Sequence, residues 1–314
     1  MAFRGWRETI DREARSDTPP PPTNCPAVPP TTAHRPPPAA WLLLAPLVGW
    51  LLVFVVAPTL VLVVISFCER DFLGRTVYRF TWANYARAFD PTYLRILARS
   101  VGYAALTTAA CVLAGYPLAY FMARCRPRVR AWLLLAVMVP FWTSFLVRTY
   151  AWIIILAHDG LLNGALVASH LLAAPAALLY TPGAVLLGLI HNYLPFMVLP
   201  IYASAEKLDR TLVEAACDLG ASPWQAFRRV TWPLTLPGVA GGTLLVFIPA
   251  VAMFAIVTLM GGGGTELVGN TIQKQFTTGR NPPFGAALGT LLLVLFLAVA
   301  GVASWINRRR AGGR

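Results

Sequence analysis

Six long apolar runs alternate with short polar stretches along the chain, at approximately 41–67, 101–123, 131–157, 183–203, 236–260 and 285–306. Each reaches the roughly 20 residues that a helix needs to cross the hydrocarbon core of a bilayer. Lipid offers no partners to backbone N–H and C=O groups, so each run is expected to be helical. None of the six contains Asp or Glu. The stretch LLNGALVASHLLAAPAALLY, just before the fourth run, is also apolar. Its glycine and proline predict an interfacial helix plus connector rather than a seventh crossing. The expected architecture is an all-α membrane protein with six transmembrane helices.

The flanks refine this picture. Residues 1–40 begin with mixed charge and become proline-rich (TPPPPPT, VPP, RPPPAA). Such a segment buries too little apolar surface to offset its ordering entropy, so it is expected to be a disordered tail. Residues 41–306 form the membrane domain, and 307–314 a short basic tail. Of the 314 residues, 57% are hydrophobic and 12% charged, against about 25% charged in soluble domains. The net charge of +13 does not indicate nucleic acid, because the arginines flank the apolar runs. One side of the expected topology (the N-tail, 124–130, 204–235 and the C-tail) holds 17 Lys and Arg, and the other holds 8. The positive-inside rule then places both termini, and the 204–235 loop, in the cytoplasm. Five scattered cysteines form no C-x-x-C pair and have no histidine cluster beside them, so neither a metal site nor a disulfide framework is expected.

The 204–235 loop is the most informative polar stretch. Residues 204–220 read as a helix, with Leu208, Leu212, Ala215, Ala216 and Leu219 on one face. Ser204 is expected to cap its start, and Gly220 to supply the left-handed conformation that ends it. Ser222 and Pro223 suit the start of a second helix, PWQAFRRV. Arg228 and Arg229 would sit at its negative pole, and Thr231-Trp232-Pro233 would lead on to the fifth span. The unit is a helical hook with a glycine bend, made of small residues that admit a close neighbour.

The segment EAACDLGASPWQAFRRVTWP (214–233) resembles the EAA loop of ABC-importer permeases, EAA-x3-G-x9-I-x-L-P. Glu214, Ala215, Ala216, Gly220 and Pro233 match in type and spacing; Val230 stands for isoleucine and Trp232 for leucine. GYPLAYFMAR (115–124), PFWTSFLVRTYAW (140–152), LPFMVLPIYASAEKLD (194–209), DLGASPWQAFRRVTWPLTLPG (218–238) and GNTIQKQF (269–276) resemble the spermidine/putrescine-type branch. The resemblance implies a type I importer fold in a bacterial inner membrane, with two permease chains pairing. It also implies an ATP-binding subunit dimer below and a periplasmic substrate-binding protein. In that family the loop docks into the ATPase, which assigns coupling to Glu214, Ala215, Ala216, Asp218, Gly220 and Pro233. No cofactor is implied.

The chain has no G-x-x-x-x-G-K-[ST] stretch, and the GGGG at 261–264 lacks the lysine that cradles phosphate. Hydrolysis of ATP is therefore expected from a partner, this chain being non-catalytic. If the cargo is a polyamine, the acid-free spans must offer aromatic faces, carbonyls or hydroxyls, or the partner permease supplies the acid. Trp142, Tyr150, Trp152, Tyr193 and Phe196 provide rings. Arg148 is the sole charge within a run, and His191 and Asn192 are polar neighbours at similar depth. Trp142, Arg148, Tyr150, His191, Asn192 and Tyr193 are thus the candidate pathway residues. Another cargo (ferric iron, thiamine or an organic anion) stays open at this point, as does a channel or proton-coupled carrier. Acid-free spans disfavour the carrier's carboxylate relay.

Overall fold

A computed structural model describes residues 46–72 and 74–311; the proline-rich 1–40 stretch and residues 312–314 lie outside them. The chain divides between Ala57 and Pro58 into two units. Helix α1, Pro46–Ser66, carries no charge and only Thr59 and Ser66 as polar side chains, and its side chains from Leu47 to Val56 are exposed, as lipid contact requires. It contains a π turn over Leu52–Val56, closed by the Ala57 N–H on the Leu52 carbonyl. Pro58 follows directly. A proline ring collides with the carbonyl four residues back, and the wider turn relieves that collision.

In the second unit α1 is followed by a small antiparallel ladder, β1 (Glu69–Arg70) and β2 (Thr76–Val77), which pairs Glu69 with Val77 and Arg70 with Thr76. Apart from this two-residue pairing the described residues form helices and connecting turns, as the all-α expectation requires. Helix α2, Ala83–Ala88, is tied back by the Asn84 amide, which donates to the Ser66 and Cys68 carbonyls. Then come α3 (Pro91–Arg124), α4 (Pro127–Trp142), α5 (Phe145–Leu156), α6 (Leu161–Ala168) and α7 (Pro182–Glu206). The remaining helices are α8 (Arg210–Asp218), α9 (Pro223–Ala252), α10 (Ala255–Met260), α11 (Val268–Phe276) and α12 (Pro282–Ala311). Six stretches are long and apolar enough to cross a membrane: Pro46–Ser66, Pro91–Arg124, Phe145–Ala168, Pro182–Glu206, Pro223–Ala252 and Pro282–Val302.

The core lies where α7 packs between α3 and α9. Cys111, Ala119 and Met122 of α3 meet Leu189, Met197, Val198 and Ile201 of α7, with Val246 and Val251 of α9, all buried. Small residues set the spacing, as in other membrane bundles. A Cβ added at Gly238 would fall 2.5 Å from the Pro200 carbonyl oxygen, and one at Gly242 would fall 2.7 Å from Met197 Sδ.

The third run departs from the single helix expected over 131–157. It is divided into α4 and α5 at Thr143–Ser144. Thr143 Oγ1 donates to the Pro140 carbonyl at 2.6 Å, and Ser144 Oγ accepts from the Leu146 N–H at 3.3 Å. These local bonds offer the backbone an alternative to the helical ladder, just after a proline that cannot donate to it. Helix α6 is the short helix expected before the fourth span, but with α5 it makes up the membrane-length stretch Phe145–Ala168, so the third crossing is shifted from the expected 131–157. Buried Asn163 staples its connector: its amide donates to the Ala157 and Ala176 carbonyls, and its oxygen accepts from the Ala176 N–H.

Candidate functional site

The hook lies between α7 and the membrane part of α9. Helix α7 runs on past Ser204 to Glu206, so Ser204 is not a cap. Asp209 is the cap instead, accepting from the Thr211 N–H at 3.0 Å, and α8 spans Arg210–Asp218. Leu208 therefore lies outside the helix whose face it was expected to share. The carboxyl end of α8 closes on two bonds, Ala221 N–H to Ala216 O at 3.0 Å and Gly220 N–H to Cys217 O at 2.9 Å. With φ of +86° at Gly220, this is a Schellman closure, which favours glycine at the left-handed position.

Ser222 and Gln225 form a reciprocal capping box with Pro223 in the first turn, as the sequence suggests. The second helix does not stop at Val230, however. It continues through a π turn at Phe227–Thr231 into the membrane segment, giving α9 its 30 residues. Arg228 and Arg229 therefore lie within a helix rather than at its negative pole. The Trp232 N–H bonds to the Phe227 carbonyl and Pro233 follows, repeating the arrangement before Pro58. The motif's proline marks a widened turn in a continuous helix, not a break.

An aromatic cluster fixes this turn to α3. Phe227 lies 5.9 Å from Tyr116 and 6.1 Å from Tyr120, both edge-on, and Tyr116 lies 5.1 Å from Trp232. The Tyr116 hydroxyl is 2.9 Å from Thr235 Oγ1, which also donates to the Thr231 carbonyl. Arg124 covers the Tyr120 ring at 4.2 Å. Trp232, the departure from the motif's leucine, thus fills a specific place. The tyrosines went unremarked in the sequence. Their spacing of four puts them on one helix face, and that was the available signal. On its free side the hook exposes Leu212 (49%), Leu219 (90%) and Trp224 (68%). Glu214, Ala215, Asp218 and Gly220 are exposed as well; Ala216 and Pro233 are half-buried.

The candidate pathway residues fall into three places. Trp142, at 73% exposure, ends α4, and Tyr150, at 53%, lies on the outside of α5. Arg148 and His191 are half-buried, and the His191 ring meets Trp152 edge-on at 5.6 Å. Asn192 and Tyr193 are buried in the core of α7. The Asn192 amide donates to the Gly188 carbonyl at 2.8 Å. Among the described residues, Asn192 Oδ1 and the Arg148 Nε and Nη1 atoms are buried without a hydrogen-bond partner. No group of His, Cys, Asp and Glu among the described residues could hold a metal ion.

Residues 115–312 match the family model of the binding-protein-dependent transport system inner membrane component. The chain is 44% identical over 253 residues to the spermidine/putrescine transport system permease protein PotB of Escherichia coli, covering 81% of this chain and 92% of that protein. It is 43% identical to PotB of Haemophilus influenzae, covering 79% and 86%. A solved bacterial ABC transporter involved in import of the acidic polysaccharide alginate contains a chain of similar fold, with TM-score 0.70, 18% identity, and coverage of 86% and 95%.

Proposed function

The chain belongs to the family of binding-protein-dependent transport system inner membrane components, and from that premise we propose that it is the permease subunit of an ATP-driven importer of polyamines. A second permease would pair with it, an ATP-binding subunit would dock on its hook, and a periplasmic protein would deliver the cargo. The hook and both termini face the cytoplasm in this reading, supported by the excess of Lys and Arg on that side. The 1–40 stretch is read as a tail outside the permease domain. Similarity to PotB over nearly the whole of that protein supports the choice of cargo.

The observation that carries the coupling role is the construction of the hook. Its free side is an apolar ridge of Leu212, Leu219 and Trp224 around exposed Ala215, suited to a groove on a partner. Its other side is fastened to α3 through Tyr116 and continues into the membrane as α9. Closure of the ATP-binding subunits would move the ridge, and α9 would carry that movement to the core. Glu214 and Asp218, exposed beside the ridge, are available to basic groups of the partner.

For the pathway, we assign Trp142 and Tyr150 to the surface offered to the second permease or the cargo, with Arg148 and His191 behind them. Asn192 and Tyr193 back this surface from the core. Ring faces attract cations by about 0.5–2 kcal/mol each. The test is uptake of radiolabelled spermidine into proteoliposomes containing the assembled importer and the binding protein. Uptake is expected to require ATP and to persist when a protonophore collapses the proton gradient. No spermidine or putrescine uptake by an importer that moves another cargo would overturn the polyamine reading.

A further inference from the structure

A cavity of about 200 Å³ opens where the last turn of α3, the start of α4, the end of α7 and the start of α8 meet. Its charged lining is Arg124, Arg130, Arg210 and Glu206, and Tyr120 forms part of its wall. Glu206 is already committed: Arg130 Nη1 donates to its Oε1 at 2.8 Å. Arg124 lies over the Tyr120 ring, and Arg210 Nη2 donates to the Arg124 carbonyl at 3.4 Å. Among the described residues neither Arg124 nor Arg210 makes an ion pair. Three guanidinium groups therefore line one cavity with a single, already paired carboxylate.

We propose that this cavity binds a phosphate group, carried by an anionic phospholipid headgroup or present as free inorganic phosphate. The planar donor fork of arginine matches phosphate oxygens, and two of the three forks have no anion to meet. The volume leaves room for the group and some of its water, each water taking about 30 Å³. The cavity also lies at the carboxyl ends of two membrane-length helices. Arg124 and Glu206 are the last residues of the membrane helices α3 and α7, and basic pockets between membrane helices are suited to such groups. A phosphate held there would join Arg124 on the bundle to Arg210 on the first helix of the hook.

The proposal does not depend on cargo or on ATP coupling, and its test reads binding alone. The assembled importer, delipidated in detergent, is titrated with phosphatidylglycerol, with phosphatidylcholine, and separately with inorganic phosphate, while thermal unfolding is followed. A ligand that binds only the folded state raises the unfolding midpoint. Phosphatidylglycerol or phosphate is expected to raise it, and phosphatidylcholine is not. The half-effect concentration should increase about fivefold for Arg124→Gln or Arg210→Gln and about 25-fold for both. Arg95→Gln, at the other end of α3, should leave it unchanged. Should the double variant fail to assemble, Arg210→Gln at the exposed start of α8 carries the test. A shift with the lipid that millimolar phosphate neither reproduces nor competes away assigns the site to a headgroup. A shift with phosphate that displaces the lipid assigns it to the free ion. An unchanged response in the arginine variants, or an equal loss in Arg95→Gln, overturns the proposal.

Discussion

Replacing Gly220 isolates the energetics of the hook, because the position is strained for other residues but not crowded. Its φ is +86° and an added Cβ would meet no atom within 4 Å. The cost of a side chain is therefore conformational rather than steric. An L-residue held in the left-handed region costs roughly 1–2 kcal/mol. Asn, which tolerates that region, should fall below this range; Ala should fall within it; β-branched Val should exceed it. If the Schellman closure of α8 is what orients the ridge for docking, this cost comes directly out of the binding-competent population. At 1.4 kcal/mol per tenfold, Gly220→Ala should weaken binding of the ATP-binding subunit about five- to thirtyfold. Gly220→Asn should weaken it less and Gly220→Val more. The assay measures affinity of the purified ATP-binding subunit for permease in nanodiscs, alongside ATP-driven uptake. Membrane insertion should persist in all three, since the hook lies outside the spans. Full affinity and full uptake by Gly220→Val would show that the bend plays no part in docking.

Other expectations follow from the packing. Tyr116→Phe removes one hydroxyl contact while Thr235 keeps its bond to Thr231, so it should cost about 1 kcal/mol of stability. Tyr116→Ala also removes the ring that seats Phe227 and Trp232 and should cost about 3–5 kcal/mol. Thermal unfolding of the two variants measures the difference, and equal midpoints would remove the ring cluster from the account. Gly238→Ala places a methyl against the Pro200 carbonyl oxygen and should destabilise by about 1–3 kcal/mol or more. Ser204→Ala, which clears the nearby hydroxyl but not the carbonyl, should not rescue it in the same melting assay. In a cysteine-free background, cysteines at Trp142 and Tyr150 should react with a membrane-impermeant thiol reagent in at least one nucleotide state, while one at Tyr193 should not. Silence at both exposed positions in every state would place them in lipid or in packing.

Much of this was legible along the chain. Acid-free apolar runs give five of the six spans, because hydrocarbon leaves so little freedom to the backbone; the third, Phe145–Ala168, is shifted from the run at 131–157 and includes Asp159. The bend at Gly220 and the cap at Ser222–Pro223 follow from the conformational preferences of those residues. Other features depend on competitions that pattern alone does not decide. Ser204 and Asp209 can both cap a helix, and the continuation of α7 leaves the role to Asp209. Pro140, Thr143 and Ser144 divide a run that is apolar enough to continue, because short side-chain bonds replace ladder bonds there. Pro233 suggests a boundary, yet a single wide turn carries the helix past it. The candidate pathway residues share a depth in the sequence, but the rotation of each helix separates exposed Trp142 and Tyr150 from buried Asn192 and Tyr193.

The continuity of α9 bears on how force travels. Its 30 residues span about 45 Å at 1.5 Å per residue. A hook joined to the membrane by a loop could shift by several ångströms and leave the core where it was. The second helix of the hook is the first turns of the rod itself, so between it and the core there is no such slack. A tilt of about 5° around the middle of such a rod moves each end by about 2 Å, in opposite directions. Within α9 the regular ladder is interrupted at the π turn at Phe227–Thr231, where the hydrogen bonds are already widened. The rings of Tyr116, Tyr120 and Trp232 surround that turn. In the proposed coupling they would be the bearing on which the lever turns, and their stiffness would set how much of a stroke at the hook reaches the far end of α9.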